Sequence, residues 1–223
     1  MALVPFTSFV TEIAPHVDGC PSPVIAAYIR KVFTDLCVRA KIWRVPLANV
    51  PLVAGVYTYN LVSPVAETEV DSIQNAQWYK AATPTNILQL EITTAEVVNG
   101  TYNDWPNTAT AGEPRLLFQD SPTDFYIAPV PGTIDTYTVK LTAFLRPTAT
   151  AVNVEDSLMF TFKRAWFHGT LHELMMMPGR LWSNDKYAVF HGKQWEYFVN
   201  GARAKANKGF NKKAISVQMR PWA

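Results

Sequence analysis

Apolar residues along this chain change their period twice. From residue 22 to about residue 42, Ile25, Ile29, Val32, Phe33, Leu36 and Ala40 recur at three- and four-residue steps, and Arg30, Lys31, Asp35 and Arg39 fall largely off that face. Such spacing predicts an amphipathic helix. Ser22 followed by Pro23 marks its start, because serine caps free amides and proline suits the first helical position. Residues 1–21 ahead of it read as an irregular lead-in ending at Gly19-Cys20-Pro21.

From Trp43 to Thr148 proline, threonine, asparagine and glycine become frequent, and β-branched and aromatic residues gather in short runs. Strands are predicted at Val56–Val62, Ile73–Tyr79, Ile87–Thr93, Arg115–Gln119, Asp124–Ala128 and Tyr137–Leu145. The last is the clearest: Tyr137, Val139, Leu141, Ala143 and Leu145 alternate with Thr138, Lys140, Thr142, Phe144 and Arg146. Asp120-Ser121-Pro122 and Pro129-Val130-Pro131-Gly132 are turn signals between runs. Short strands with no helical pattern between them point to an antiparallel sandwich or barrel.

After Pro147 the helical period returns. Leu158, Phe162, Ala165, Trp166, Leu171, Leu174 and Met175 mark one helix over 155–177, stopped by Pro178-Gly179. Ser183 or Asn184 caps a third, with Asp185 in its first turn and Ala188, Trp195, Phe198, Val199, Ala202 and Ala206 on its buried stripe. Gly209 is its expected stop, and 210–223 is a polar, basic tail. A lone short helix cannot bury its own stripe. The economical fold is therefore α+β: a helical bundle from 1–43 and 149–209, an inserted antiparallel β-sandwich or barrel-like domain at 44–148, and an extended C-terminal arm at 210–223.

The chain has 223 residues, 48% hydrophobic and 17% charged, with seven Trp, nine Tyr and twelve Phe. That is globular composition, and the aromatic content fits either a Trp-rich core or contact surfaces. Net charge is +2, but no acid follows Glu196, while Arg203, Lys205, Lys208, Lys212, Lys213 and Arg220 do. Such an end suits an acidic partner surface or nucleic acid, or simply keeps the chain solvated. Cys20 and Cys37 fit neither a zinc spacing nor a disulfide framework. The N-terminus lacks the basic start of a signal peptide, and no run approaches the ~18 apolar residues that span a bilayer. A reducing cytosolic site of synthesis is expected, with the Asn99-Gly100-Thr101 sequon idle.

No phosphate loop, dinucleotide fingerprint or nucleophile elbow is present. His168 and His172 stand four apart on a predicted helix, where both rings can face one metal, but Glu173 follows His172 and the HExxH order is missing. His191 would join them only through tertiary structure. Two histidines on a helix flank are the simpler expectation. Glu67, Glu69 and Asp71 alternate along a strand-like segment and read as a solvated acidic face. Glu155-Asp156 suits a helix start. The basic tail carries no helix-turn-helix, finger or RNP signature. No catalytic residue, metal ligand or cofactor is expected.

In order, the chain then shows Gly19-Cys20-Pro21-Ser22-Pro23 leading into a helix that closes on Arg39-Ala40-Lys41-Ile42-Trp43-Arg44. Phe125-Tyr126-Ile127-Ala128-Pro129-Val130-Pro131 follows, before an alternating strand ending Leu145-Arg146-Pro147. Last come Gly169 to Leu174, then Met177-Pro178-Gly179-Arg180-Leu181-Trp182-Ser183-Asn184, and a long helix with Phe198, Gly201, Ala202 and Ala206-Asn207-Lys208-Gly209. This series resembles the head-to-tail adaptors of short-tailed bacteriophages, the tail tubular protein A or neck-adaptor type. The step between the last two helices is its most specific piece. The resemblance implies a non-enzymatic virion protein made in the host bacterial cytoplasm. It implies a homo-oligomeric ring, a dodecamer in that family, between the portal protein and the tail nozzle or tail tube. Genomic DNA would pass through on ejection without sequence-specific binding, and no membrane is involved. On this expectation the arm docks on an acidic portal groove through Lys208, Lys212, Lys213, Arg220 and the anchor Trp222. Other neck or tail components, such as a tail-tube completion or nozzle protein, share the same physics. A receptor-binding module built on Trp78, Tyr79, Tyr102 and Trp105 and an enzyme using His172 are the remaining classes.

Overall fold

In the computed structural model, residues 2–102, 105–107, 111–132 and 136–208 are described. The three-and-four spacing of the first apolar series folds as predicted. Helix α2 spans Ser22–Ala40 and buries Ile25, Ile29, Val32, Phe33, Leu36, Cys37 and Ala40. Its start differs in detail. The Pro21 carbonyl accepts the Val24 and Ile25 amides, no side chain caps the helix, and Ser22 is its first residue. Lys41 ends it in the left-handed conformation, φ +52°, with its amide on the Cys37 carbonyl.

The lead-in is not irregular. Strand β1 (Leu3–Pro5) is followed by a 3-10 turn (Phe6–Phe9), one turn of helix α1 (Val10–Ile13) and a second 3-10 turn (Ala14–His16). Phe6, Phe9, Val10, Ile13 and Val17 are buried. These turns are too short to display a helical period, so they bury side chains without announcing themselves in the sequence.

In the β-region, β2 (Arg44–Pro46), β3 (Val50–Pro51), β4 (Thr58–Asn60), β5 (Thr68–Lys80), β6 (Thr83–Gln89), β7 (Glu91–Ile92), helix α3 (Ala95–Thr101), β8 (Leu116–Gln119), β9 (Asp124–Ala128) and β10 (Tyr137–Pro147) follow in order. One sheet runs β2-β10-β5-β6, with β3 also on β10; another runs β4-β9-β8-β7. One of the sheets curls into a half-barrel. The pairing is antiparallel except between β7 and β8. β5 and β10 pair along their whole lengths, from Tyr137 opposite Lys80 to Pro147 opposite Thr68. Every second residue of β10 is buried, as its alternation requires. The predicted run Ile87–Thr93 divides into β6 and β7 at Leu90, whose amide crosses to the Ala76 carbonyl.

Strand β11 (Asn153–Glu155) pairs with β1 and leads into α4 (Asp156–Thr161). The helix predicted over 155–177 is two: α4 and α5 (Lys163–Met175) meet at Phe162, φ −112° and ψ 25°. Apolar residues stay in phase across this bend, which hides it from periodicity. Helix α6 spans Asp185–Lys208. Asn184 is the cap, its Oδ1 accepting the Tyr187 amide at 3.2 Å. The expected stop at Gly209 and the arm 210–223 lie outside the described residues. Helices α2, α5 and α6 pack on one another, and α2 also packs on β10.

One apolar cluster therefore runs from the helices through Trp43 into β5 and β10. A smaller one, of Val98, Trp105, Leu116, Phe118 and Ala128, lies between α3 and the second sheet. Trp78 and Trp105, which a receptor-binding module would place on its recognition surface, are core residues. Trp78 packs edge-on to Tyr137 at 5.2 Å; Trp105 stands edge-on to Tyr57 at 5.2 Å and donates from Nε1 to Asn99 Oδ1 at 2.8 Å. Tyr79 and Tyr102 are half-buried. Much of the aromatic content is thus explained by the core.

Candidate functional site

The basic end begins on α6. Of the residues expected to meet a partner, Lys208 is exposed at the helix terminus, and Lys212, Lys213, Arg220 and Trp222 lie outside the described residues. Upstream, an open groove of about 370 Å³ is lined by Phe160, Phe162, Lys163, Arg164, Phe198 and Lys205, among others. The Arg164 guanidinium lies 5.9 Å from the Phe198 ring centre, and the Lys205 ammonium 5.5 Å from that of Phe162. Phe160 is 72% exposed. Cations over aromatic faces with an exposed ring beside them make an adhesive, positively charged surface.

The acidic strand segment is not a solvated face. Glu67, φ +60°, accepts the amides of Val152 and Asn153 at 2.7 Å each, which holds its carboxyl below the usual range. Glu69 pairs with Arg146 at 2.7 Å, and Asp71 bonds to Lys41 with Arg146 3.7 Å away. These carboxylates tie the β-region to the chain on either side of it: Glu67 to the segment after β10, Asp71 to the end of α2.

All four histidines converge where α5 and α6 meet the lead-in. His168 Nδ1 lies 2.8 Å from His191 Nδ1, while His172 Nδ1 turns to the Ala188 carbonyl at 2.8 Å. His16 packs edge-on to Phe167 at 5.3 Å. His168 thus partners the residue 23 positions on, not His172. Among the described residues no group of three or more His, Cys, Asp or Glu is arranged to hold a metal. Burial, reinforced by His168, His16 and His172, pushes His191 down to about 4; burial and Arg164 lower His168. Burial raises the thiols of Cys37 and, against Arg180, Cys20, the opposite of what a nucleophile needs.

A pH dependence follows from His191. Unfolded, it takes a proton near pH 6.5; folded, it resists until about pH 4. Between those values the unfolded state holds more protons, so stability is fully present above pH 6.5 and falls as the pH drops toward 4. Urea midpoints at pH 7, 5.5 and 4.5 should fall for the wild-type chain and fall less for His191→Gln. Parallel curves would show that this histidine does not carry the effect.

These features define an α+β protein whose described surface offers open grooves and cationic, aromatic faces. The chain matches the SU10 adaptor protein family over residues 5–209. It belongs to that family, and on that ground is a phage adaptor protein, a component of the virion. No curated protein matches it significantly. Among the described residues no helix is long and apolar enough to cross a membrane.

Proposed function

We propose that the chain is a head-to-tail adaptor that forms a ring, dodecameric as the resemblance implies, between the portal protein and the tail nozzle or tail tube. The ring encloses a channel through which DNA passes without sequence-specific contacts. The subunit is structural, without cofactor or catalysis, and is made in the host bacterial cytoplasm. Its helices act as a bundle carrying the β-region as an insertion, and Lys208, Lys212, Lys213, Arg220 and Trp222 dock the C-terminal arm on an acidic portal groove.

The family match carries this reading, and the charge of the chain supports the docking. Residues 44–148 hold ten acidic and five basic side chains; the remainder holds fifteen basic and eight acidic, none acidic beyond Glu196. A cationic arm leaving a cationic helix is repelled by its own body and drawn to an acidic partner. Deleting residues 210–223 should abolish co-purification with portal rings while leaving the circular dichroism spectrum and melting temperature unchanged. Truncated protein that still co-purifies with portal would overturn the docking role.

A further inference from the structure

Helix α6 has two apolar sides. One, with Ala188, Trp195, Val199 and Ala202, is buried against α2 and α5. The other follows a second three-and-four series: Tyr187, Phe190, Gln194, Tyr197, Gly201 and Ala204. Its rings are 61%, 51% and 70% exposed in that order. A methyl group built on Gly201 would meet nothing within 4 Å, so no internal packing calls for glycine there. Lys186, Lys193 and Lys208 are exposed beside this series, with no ion-pair partner among the described residues. A helix that shows water three aromatic rings at helix-packing spacing, bordered by lysines, is one face short of a partner. The partner must be acidic and partly apolar.

The same chain carries such a surface in its β-region. Five of the eight acids in the described part of that region are engaged: Glu67, Glu69 and Asp71 as above, Glu113 with Lys80 at 2.6 Å, and Asp124, which accepts from the Ser121 and Thr123 hydroxyls. Glu91, Glu96 and Asp120 are exposed and unpaired among the described residues. Ile92 and Val97, 39% and 49% exposed, alternate with the two glutamates. Ile92 and Asp120 also line an open groove of about 330 Å³, with Ile73, Thr93 and Pro122. Within one copy α6 packs on α5 and α2 rather than on these strands.

We infer that the Tyr187–Ala204 face of α6 docks on the Ile92–Asp120 groove and Glu96 of a second copy of this chain. Two different surfaces of one polypeptide, opposite in charge and both apolar, make a heterologous contact, which propagates head to tail and closes when its rotation allows. The inference rests on the ring proposed above and names the faces that build it.

Self-association of the full chain is to be followed by sedimentation over a concentration range, alone and on portal rings, at low and high salt. Lys186→Glu with Lys193→Glu should weaken it about tenfold or more, and Glu96→Lys with Asp120→Lys should do the same. Joining both pairs in one chain should restore it. Tyr197→Ala, at an exposed site, should weaken it without altering the dichroism spectrum. Self-association that survives either reversal leaves the ring standing and overturns these faces. Failure of the joined variant to recover overturns the second copy as occupant. So does a variant that still self-associates but releases portal, since the face then serves a foreign acidic protein. A wild-type chain that stays monomeric under every condition, portal rings included, removes the ring itself.

Discussion

Replacing Gly169 with leucine is expected to remove a large share of the folding free energy of this chain. Gly169 lies on α5 where α2 and α6 both press against it. A Cβ built there would sit 2.5 Å from Val32 Cγ1 and 2.7 Å from Trp195 Cε3. Val32 and Trp195 are both buried, at 4% and 7% exposure, so neither has open space to turn into. Even Gly169→Ala should cost about 1–3 kcal/mol, the usual range for overpacking, and leucine more. Ordinary domains have only about 5–15 kcal/mol in total. The control is Gly201→Ala on the open side of α6, where the added methyl meets nothing and helix propensity alone should gain roughly 0.5–1 kcal/mol. Urea denaturation at low protein concentration, where assembly does not contribute, separates the two. Equal midpoints for Gly169→Ala and the wild type would mean that the three helices do not meet as closely as described.

Gly169 also marks a limit to what is legible in the sequence. In the segment His168-Gly169-Thr170-Leu171-His172-Glu173 the spaced histidines are what stands out in sequence, yet the structural consequence lies in the residue without a side chain. Periodicity locates α2 because six apolar residues keep one face from Ile25 to Ala40, and it locates β10 because apolar residues hold every second position from Tyr137 to Leu145. Both patterns are local, and local patterns survive in one dimension. What was lost is short or long-range. The lead-in turns have too few residues to show a period. The bend at Phe162 keeps its apolar residues in phase. The parallel β7–β8 pair joins residues more than twenty apart, and the His168–His191 contact joins two helices across a loop. The second face of α6 was different: Tyr187, Phe190 and Tyr197 were legible as a helical series. The buried stripe beside them is enough by itself to define the helix, which masks the second series. A long helix with two apolar series and basic residues between them is the signal that would have found the surface.

The second large effect is expected at Trp166, one of the largest fully buried side chains of the described fold. Its ring binds together the lead-in, far away in the sequence, and the two consecutive helices α4 and α5. Phe9 of the lead-in stands edge-on to it at 5.5 Å, Met159 of α4 accepts its Nε1–H at 2.9 Å, and Trp166 itself belongs to α5. Met159 is as fully buried as the indole. Truncation to alanine therefore opens a cavity bounded by all three and removes a buried donor, at a cost of about 3–5 kcal/mol. Trp166→Phe keeps most of the ring volume and loses the donor, which should cost only about 1–3 kcal/mol. The difference between them measures packing apart from hydrogen bonding. Because β1 and the first turns of the chain are anchored through Phe9, the alanine variant should also become sensitive to chymotrypsin at Phe6 and Phe9 before the rest of the chain is cut. If alanine and phenylalanine cost the same, or if the N-terminal phenylalanines stay protected in both, then the lead-in is held by its pairing with β11 and by Phe6 against Phe33 rather than by this ring.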